Sequence, residues 1–222
     1  TITVYQGMAQ VVSQGKTVRI GENQVVTVIP DQAPTLPKPI LTAPILTMPA
    51  TSGVFYYRDL PPKIDFGWKE FSGSQKYRFV LAKDPAFQEV VYDERLSRAH
   101  FSHGNLKAGD YYWRVSGMDG WNEGGLSETR QFRVVQDSQP PPLNVKPIPE
   151  DVVAGRHVIT GKTEPGAQLF VLGSPVTVAE SGEFSYGVQL QQGINVIVVE
   201  AVDAAANVTY YSQLVNAHGK EE

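Results

Sequence analysis

Apolar side chains recur at every second position along most of this chain, and clusters of Gly, Pro, Asn, Asp and Ser break the alternation at short intervals. A period of two lines one face of an extended strand with apolar groups, and that face must be buried against another sheet. The alternation is cleanest in residues 158–171 and in residues 182–190, and the apolar run of residues 193–203 follows them. Within residues 50–136 the strand-forming runs are Val54-Phe55-Tyr56, residues 64–68, residues 77–82, Val90-Val91-Tyr92, residues 111–115 and residues 129–134. Ser72-Gly73-Ser74, Lys83-Asp84-Pro85, Lys107-Ala108-Gly109-Asp110 and Asp119-Gly120 through Gly124-Gly125 lie between them as turn sequences. About seven strands at this spacing predict a β-sandwich, with Trp68, Phe79, Leu81, Trp113 and Val115 filling the space between its sheets.

Residues 1–29 alternate in the same way around Val4, Met8, Val11, Val18, Ile20, Val25, Val26 and Val28, which predicts three short strands. That meander is too small to fold alone, so it either completes an upstream domain or packs on the next one. Prolines 30, 34, 37, 39, 44 and 49 then impose extended geometry and remove backbone donors. The apolar Leu36, Ile40, Leu41, Ile45, Leu46 and Met48 between them predict that part of this spacer lies along a sandwich edge. Pro140-Pro141-Pro142 marks a second boundary.

Three resemblances follow from these segments. Trp68, Tyr77-Arg78-Phe79-Val80, Asp84-Pro85-Ala86-Phe87, Leu106, residues 109–115, Ser127 and Phe132 together resemble a bacterial fibronectin type III domain. Gly161-Lys162-Thr163-Glu164-Pro165-Gly166-Ala167, Ser181-Gly182-Glu183-Phe184, Leu190 to Asn195 and Ala201-Val202-Asp203 resemble a bacterial immunoglobulin-like repeat. Residues 4–11, with Gln6-Gly7 and Val11, followed by Val18-Arg19-Ile20 and Gly21-Glu22-Asn23-Gln24, resemble the closing strands of a FecR-like domain. The expected fold is all-β, with two immunoglobulin-like β-sandwiches in tandem after a short β-strand remnant. The expected boundaries are 1–29 for the FecR-like strands, 30–49 for the spacer, 50–137 for the fibronectin-like sandwich, 138–142 for a proline hinge and 143–217 for the immunoglobulin-like sandwich.

Composition narrows the function. The 222 residues contain no cysteine, which excludes disulfides, thiolate metal sites and cysteine nucleophiles. A net charge of −4 without a lysine or arginine cluster argues against nucleic acid or an anionic membrane as partner. No apolar run is long enough to span a bilayer. The chain starts at Thr1 rather than Met, so any signal or anchor is expected upstream. No serine sits in a nucleophile-elbow motif, and the paired carboxylates Asp93-Glu94, Glu150-Asp151 and Glu221-Glu222 suit turns and a tail rather than opposed glycosidase acids.

The candidate binding residues are Trp121, Asn122 and Glu123, expected in an exposed loop between the last two strands of the fibronectin-like sandwich, where an aromatic platform with polar neighbours suits a sugar or a protein. Asp203 and Asn207 are weak calcium candidates, since hard cations take oxygen donors, although both residue types also shape turns. His100 and His103 fall on opposite faces of a strand and are expected at the surface. Each of Tyr56-Tyr57, Tyr111-Tyr112 and Tyr210-Tyr211 should bury one ring, and Tyr111 is the candidate for the corner hydrogen bond of this architecture. The expected function is that of a non-catalytic modular protein of the bacterial periplasm, or of the extracellular side or cell envelope, monomeric and without a cofactor. It would act as a scaffold or spacer, as the FecR and sandwich resemblances imply, or as a signalling-associated FecR-like protein. The alternative is a module that binds cell-wall glycan or a protein partner through the loop around Trp121.

Overall fold

A computed structural model describes residues 1–70, 76–120 and 122–219. Among them every regular element is a β-strand, as the period-two pattern requires. The chain divides into two compact units. One holds Thr1–Val54, Lys63–Gly104 and Gly109–Arg133, and the other holds Phe55–Pro62, Asn105–Ala108 and Val134–Glu222.

The N-terminal residues form β1 (Ile2–Val4), β2 (Ala9–Ser13), β3 (Lys16–Ile20) and β4 (Gln24–Val26), and the proline segment adds β5 (Lys38–Pro39). The order β1-β4-β5 makes one small sheet and β2-β3 a hairpin. Val4, Val11, Ile20 and Val26 form their core, with Ala9, Val18 and Val28 against it. Met8, expected on the apolar face, is 88% exposed instead. It follows the positive-φ turn at Gly7 and precedes β2, so no strand alternation governs where it points.

The next elements are β6 (Leu46–Met48), β7 (Gly53–Tyr57), β8 (Ile64–Trp68), β9 (Lys76–Ala82), β10 (Val90–Leu96), β11 (His100–His103), β12 (Gly109–Asp119), β13 (Asn122–Leu126) and β14 (Arg130–Gln136). One sheet runs β10-β9-β12-β14-β7 with β13 also on β12, and the other runs β11-β8-β6. Phe66 on β8 bridges them, its ring centroid 4.9 Å from Phe79, 5.2 Å from Trp113 and 5.7 Å from Phe132. Trp68, Phe79, Leu81, Trp113 and Val115 are all buried, as the alternation predicts.

The segment that sequence reading takes as a loop between the last two strands folds back as β13 and pairs with β12. Gly124 and Gly125 therefore do not serve as turn residues. They let another chain segment approach, and the Gly125 N–H donates to the Leu41 carbonyl at 2.9 Å. A Cβ on Gly124 would collide with the Leu41 side chain and lie 2.6 Å from its carbonyl oxygen. Residues 40–46 are thus laid against the sandwich, with Ile45 O accepting from Lys69 N at 2.8 Å before β6 joins β8. We expect Gly124→Ala to lower stability by about 1–3 kcal/mol, the usual range for overpacking. Limited proteolysis should then cut within residues 40–46 well before the unchanged chain is cut there.

The last module consists of β15 (Leu143–Val145), β16 (Asp151–Val153), β17 (Gly155–Thr163), β18 (Gln168–Val171), β19 (Ser174–Val176), β20 (Glu183–Leu190), β21 (Gly193–Val202) and β22 (Val208–His218). Its sheets run β15-β17-β20 and β16-β22-β21-β18-β19, antiparallel except for β16 beside β22. Ile159, Leu169, Val171, Phe184, Val188, Leu190, Ile197, Val199 and Val215 fill the space between them.

Candidate functional site

The tip of β12 and β13 holds Glu123, one of the residues singled out for binding. Gly120 turns the chain with φ +60, and the backbone of Asn122 pairs with Asp119. Trp121 lies outside the described residues. Glu123 is firmly placed. One of its carboxylate oxygens accepts from the Ser116 hydroxyl at 2.5 Å, and the other accepts from Arg78 Nη1 at 2.9 Å. Arg78 also forms a two-pronged pair with Asp93, at 2.7 and 2.6 Å. The hydrogen bonds that Arg78 donates to the Asp93 carboxylate, and then to Glu123, push the guanidinium pKa up, while the same Arg78 bond holds Asp93 below the usual carboxylate range. Ser116 is fully buried, so this network ties β9, β10, β12 and β13 together from beneath the tip.

Beside Glu123 opens a cleft of about 310 Å³ lined by Thr1, Thr3, Tyr5, Lys38, Asp119 and the backbone of Gly124 and Gly125, among others. Thr1, Thr3 and Tyr5 line it because alternate residues of an extended segment share a face. Lys38 Nζ pairs with Asp119 at 3.1 Å across it. Sequence reading missed this cleft because its walls come from positions far apart in the chain, and only the docking of the proline segment brings them together.

Asp203 and Asn207 are adjacent in space as well as in sequence. One Asp203 oxygen accepts from the backbone N–H of Ala205 and of Asn207, each at 2.8 Å, and the other accepts from Asn207 Nδ2 at 2.8 Å. Asn207 Nδ2 also donates to the Asp137 carbonyl at 3.0 Å. Both side chains hold the turn between β21 and β22. Burial raises the pKa of nearby Glu164 first, and the Asp203 and Asp137 carboxylates then add to the rise. Asp203→Ala should strand the Ala205 and Asn207 N–H groups and cost about 1–3 kcal/mol. The melting temperature of the unchanged chain should be the same in calcium chloride and in chelator.

His100 and His103 lie on β11 as the pattern predicts, with His100 exposed beside Asp65 at 3.6 Å. His103 is half-buried against the Tyr92 ring, at 4.3 Å between centroids, and that burial lowers its pKa. Tyr57 and Tyr111 are buried while Tyr56 and Tyr210 are exposed, and Tyr111 stacks on Phe132 at 5.4 Å. No group of three or more His, Asp or Glu residues that could hold a metal ion occurs among the described residues.

No family model and no curated protein matches the chain. Among solved structures, the fold is similar to the fibronectin(III)-like modules of Clostridium thermocellum CbhA, with a TM-score of 0.57 at 13% identity over 79% of this chain and 94% of that one. The FN1–FN3 domains of chicken CNTN1 align with a TM-score of 0.49 at 13% identity, over 87% of this chain and 74% of that one. The likeness is one of fold: the chain is an all-β protein of fibronectin type III-like and immunoglobulin-like sandwiches, as the sequence predicts.

Proposed function

We propose that this chain is a non-catalytic, extracytoplasmic scaffold of the bacterial envelope, in which sandwich modules set the spacing of whatever they connect. The supporting observation is where its charged side chains go. Arg78, Asp93 and Glu123 clamp strands, Arg130 donates to the carbonyls of Pro49 and Leu46 at 2.9 and 2.8 Å, and Asp203 builds a turn. Groups that a reactive site would present are instead engaged in the sandwich's own framework. In this reading residues 1–29 close a FecR-like domain, 30–49 are the spacer, 50–137 and 143–217 are the two sandwiches, and 138–142 are the hinge. A signalling role beside a FecR-like domain belongs to the same proposal.

The test is a module swap in cells. Replacing residues 50–137 by a foreign fibronectin-like module of equal length should preserve the phenotype of the intact protein, whereas deleting them should not. A swap as damaging as the deletion would sink the scaffold reading.

The cleft beside Glu123 favours a second reading, in which the tip binds a glycan. Tyr5 offers an exposed ring, and Thr3, Lys38 and Asp119 offer polar groups around it. Trp121, Asn122 and Glu123 would border such a ligand. Trp121→Ala and Tyr5→Ala should each weaken binding of cell-wall oligosaccharides on an array without moving the melting curve. Undiminished binding by both variants would contradict this reading.

A further inference from the structure

The outer face of the sheet β16-β22-β21-β18-β19 breaks the alternation that governs the rest of the module. A one-sided sheet ordinarily puts polar residues toward water. Here the outward positions of β21 are Ile194, Val196 and Val198, and all three are exposed, Ile194 by 77%. Their cross-strand partners on β22 are Asn216, Leu214 and Ser212. Leu214 is 63% exposed directly opposite Val196, and Tyr210, opposite Glu200, is 65% exposed. Ile194, Val196 and Val198 form an exposed apolar stripe on β21, which Leu214 and Tyr210 widen onto β22 on either side of Ser212, and contiguous exposed apolar groups mark an interaction surface. Inward neighbours Ile197, Val199 and Val215 are buried, so the core is complete without this stripe.

Charge around the stripe has one sign. None of β16, β18, β19, β21 and β22 contains a lysine or arginine. Glu200 stands at one end of the stripe, and Asp151, which accepts from Asn216 Nδ2 at 2.9 Å, stands at the other. Two copies of this face laid together would bring acidic ends against acidic ends in a chain already carrying −4. A partner with cationic margins meets no such repulsion.

We propose that this face docks an amphipathic helix whose apolar stripe is bordered by lysine or arginine. The dimensions agree. Ile194 to Val198 spans about 14 Å along the strand, and two strands lie about 5 Å apart. A helix about 10 Å across covers that width, and about three turns cover that length. This deepens the scaffold reading by giving the last sandwich a partner of stated chemistry. The module swap described above leaves residues 143–217 untouched, so the two proposals fail separately.

The experiment titrates the full chain with two synthetic 18-residue helical peptides, one of leucine and lysine and one of leucine and glutamate, and follows backbone amide shifts. The lysine peptide should shift the amides of β21 and β22. Val196→Thr with Leu214→Thr puts β-branched strand formers at both positions and should weaken that binding at least ten-fold while preserving the fold. Glu200→Gln leaves the apolar stripe whole and should weaken the same binding less and reduce its salt dependence. The proposal is overturned if the lysine peptide shifts other surfaces instead, if the double variant binds unchanged, or if the glutamate peptide binds as well. It is equally overturned if the free protein dimerises through this face in analytical ultracentrifugation, a dimer that the double variant abolishes.

Discussion

Phe66→Ala should lower the stability of the fibronectin-like sandwich by about 3–5 kcal/mol, the range for removing a fully buried aromatic ring. Phe66 has no exposed surface. Its ring meets Phe79 and Trp113 edge-on and lies near Phe101 at 6.2 Å. Phe79, Trp113 and Phe132 belong to the facing sheet, so the truncation removes three of the ring contacts that join the two layers. The hole would be walled by aromatic rings on rigid strands, which cannot collapse into it. Loss of the edge-to-face pairs adds to the lost burial. For a sandwich of this size the expected drop in melting temperature exceeds about 12 °C. Tryptophan fluorescence during thermal unfolding would read it through Trp113, and a drop of a degree or two would show that Phe66 is not central to the core.

Gly182→Ala should destabilise the immunoglobulin-like sandwich by about 2–5 kcal/mol. Gly182 has φ +84, a conformation that costs an L side chain about 1–2 kcal/mol. A Cβ there would also collide with the Thr163 carbonyl oxygen and lie 3.3 Å from its carbon. That carbonyl is backbone at the end of β17, and Thr163 N donates to Gly182 O at 2.9 Å, so the two segments cannot separate without losing the bond. Overpacking therefore adds about 1–3 kcal/mol to the backbone strain. Gly166 supplies the internal comparison. Its φ is +86, yet nothing lies within 4 Å of the position a Cβ would take. Gly166→Ala should show the strain alone, and the difference between the two variants in far-ultraviolet ellipticity melts isolates the collision.

Legibility in the sequence followed the hydrophobic signal. Strands with alternating large apolar residues, such as β8, β9, β12 and β20, stand out, and so do their inward residues. The missed strands are those in which that signal is weak. β13 is diluted by Gly124 and Gly125. β22 turns Gln213 inward, which breaks the apolar pattern. Its amide is satisfied there by the N–H and carbonyl of Ile148 at 3.1 and 2.5 Å. The glycines of β13 carried a misleading signal, because a glycine needed for close approach looks in sequence like one needed for a turn.

The candidate surfaces were less legible for a related reason. Composition marked the tip at Glu123, but the grip of Arg78 and Ser116 on that carboxylate depends on strand neighbours that no local motif specifies. The exposed stripe on β21 and β22 was hidden by its own hydrophobicity. Residues 193–203 look in sequence like a strand buried on both faces, and only the sheet order shows that one face has nothing over it.

The central claim is that the chain holds two sandwiches, each stabilised by its own core. All three tryptophans, at positions 68, 113 and 121, precede the immunoglobulin-like module. Fluorescence therefore reports the first sandwich, while far-ultraviolet ellipticity reports both. The decisive measurement is the thermal unfolding of Gly182→Ala followed by both signals. The fluorescence midpoint should stay within about 2 °C of the unchanged chain while part of the ellipticity is lost at a clearly lower temperature. A fluorescence midpoint that falls together with the ellipticity, in one transition, would contradict two separately stabilised cores.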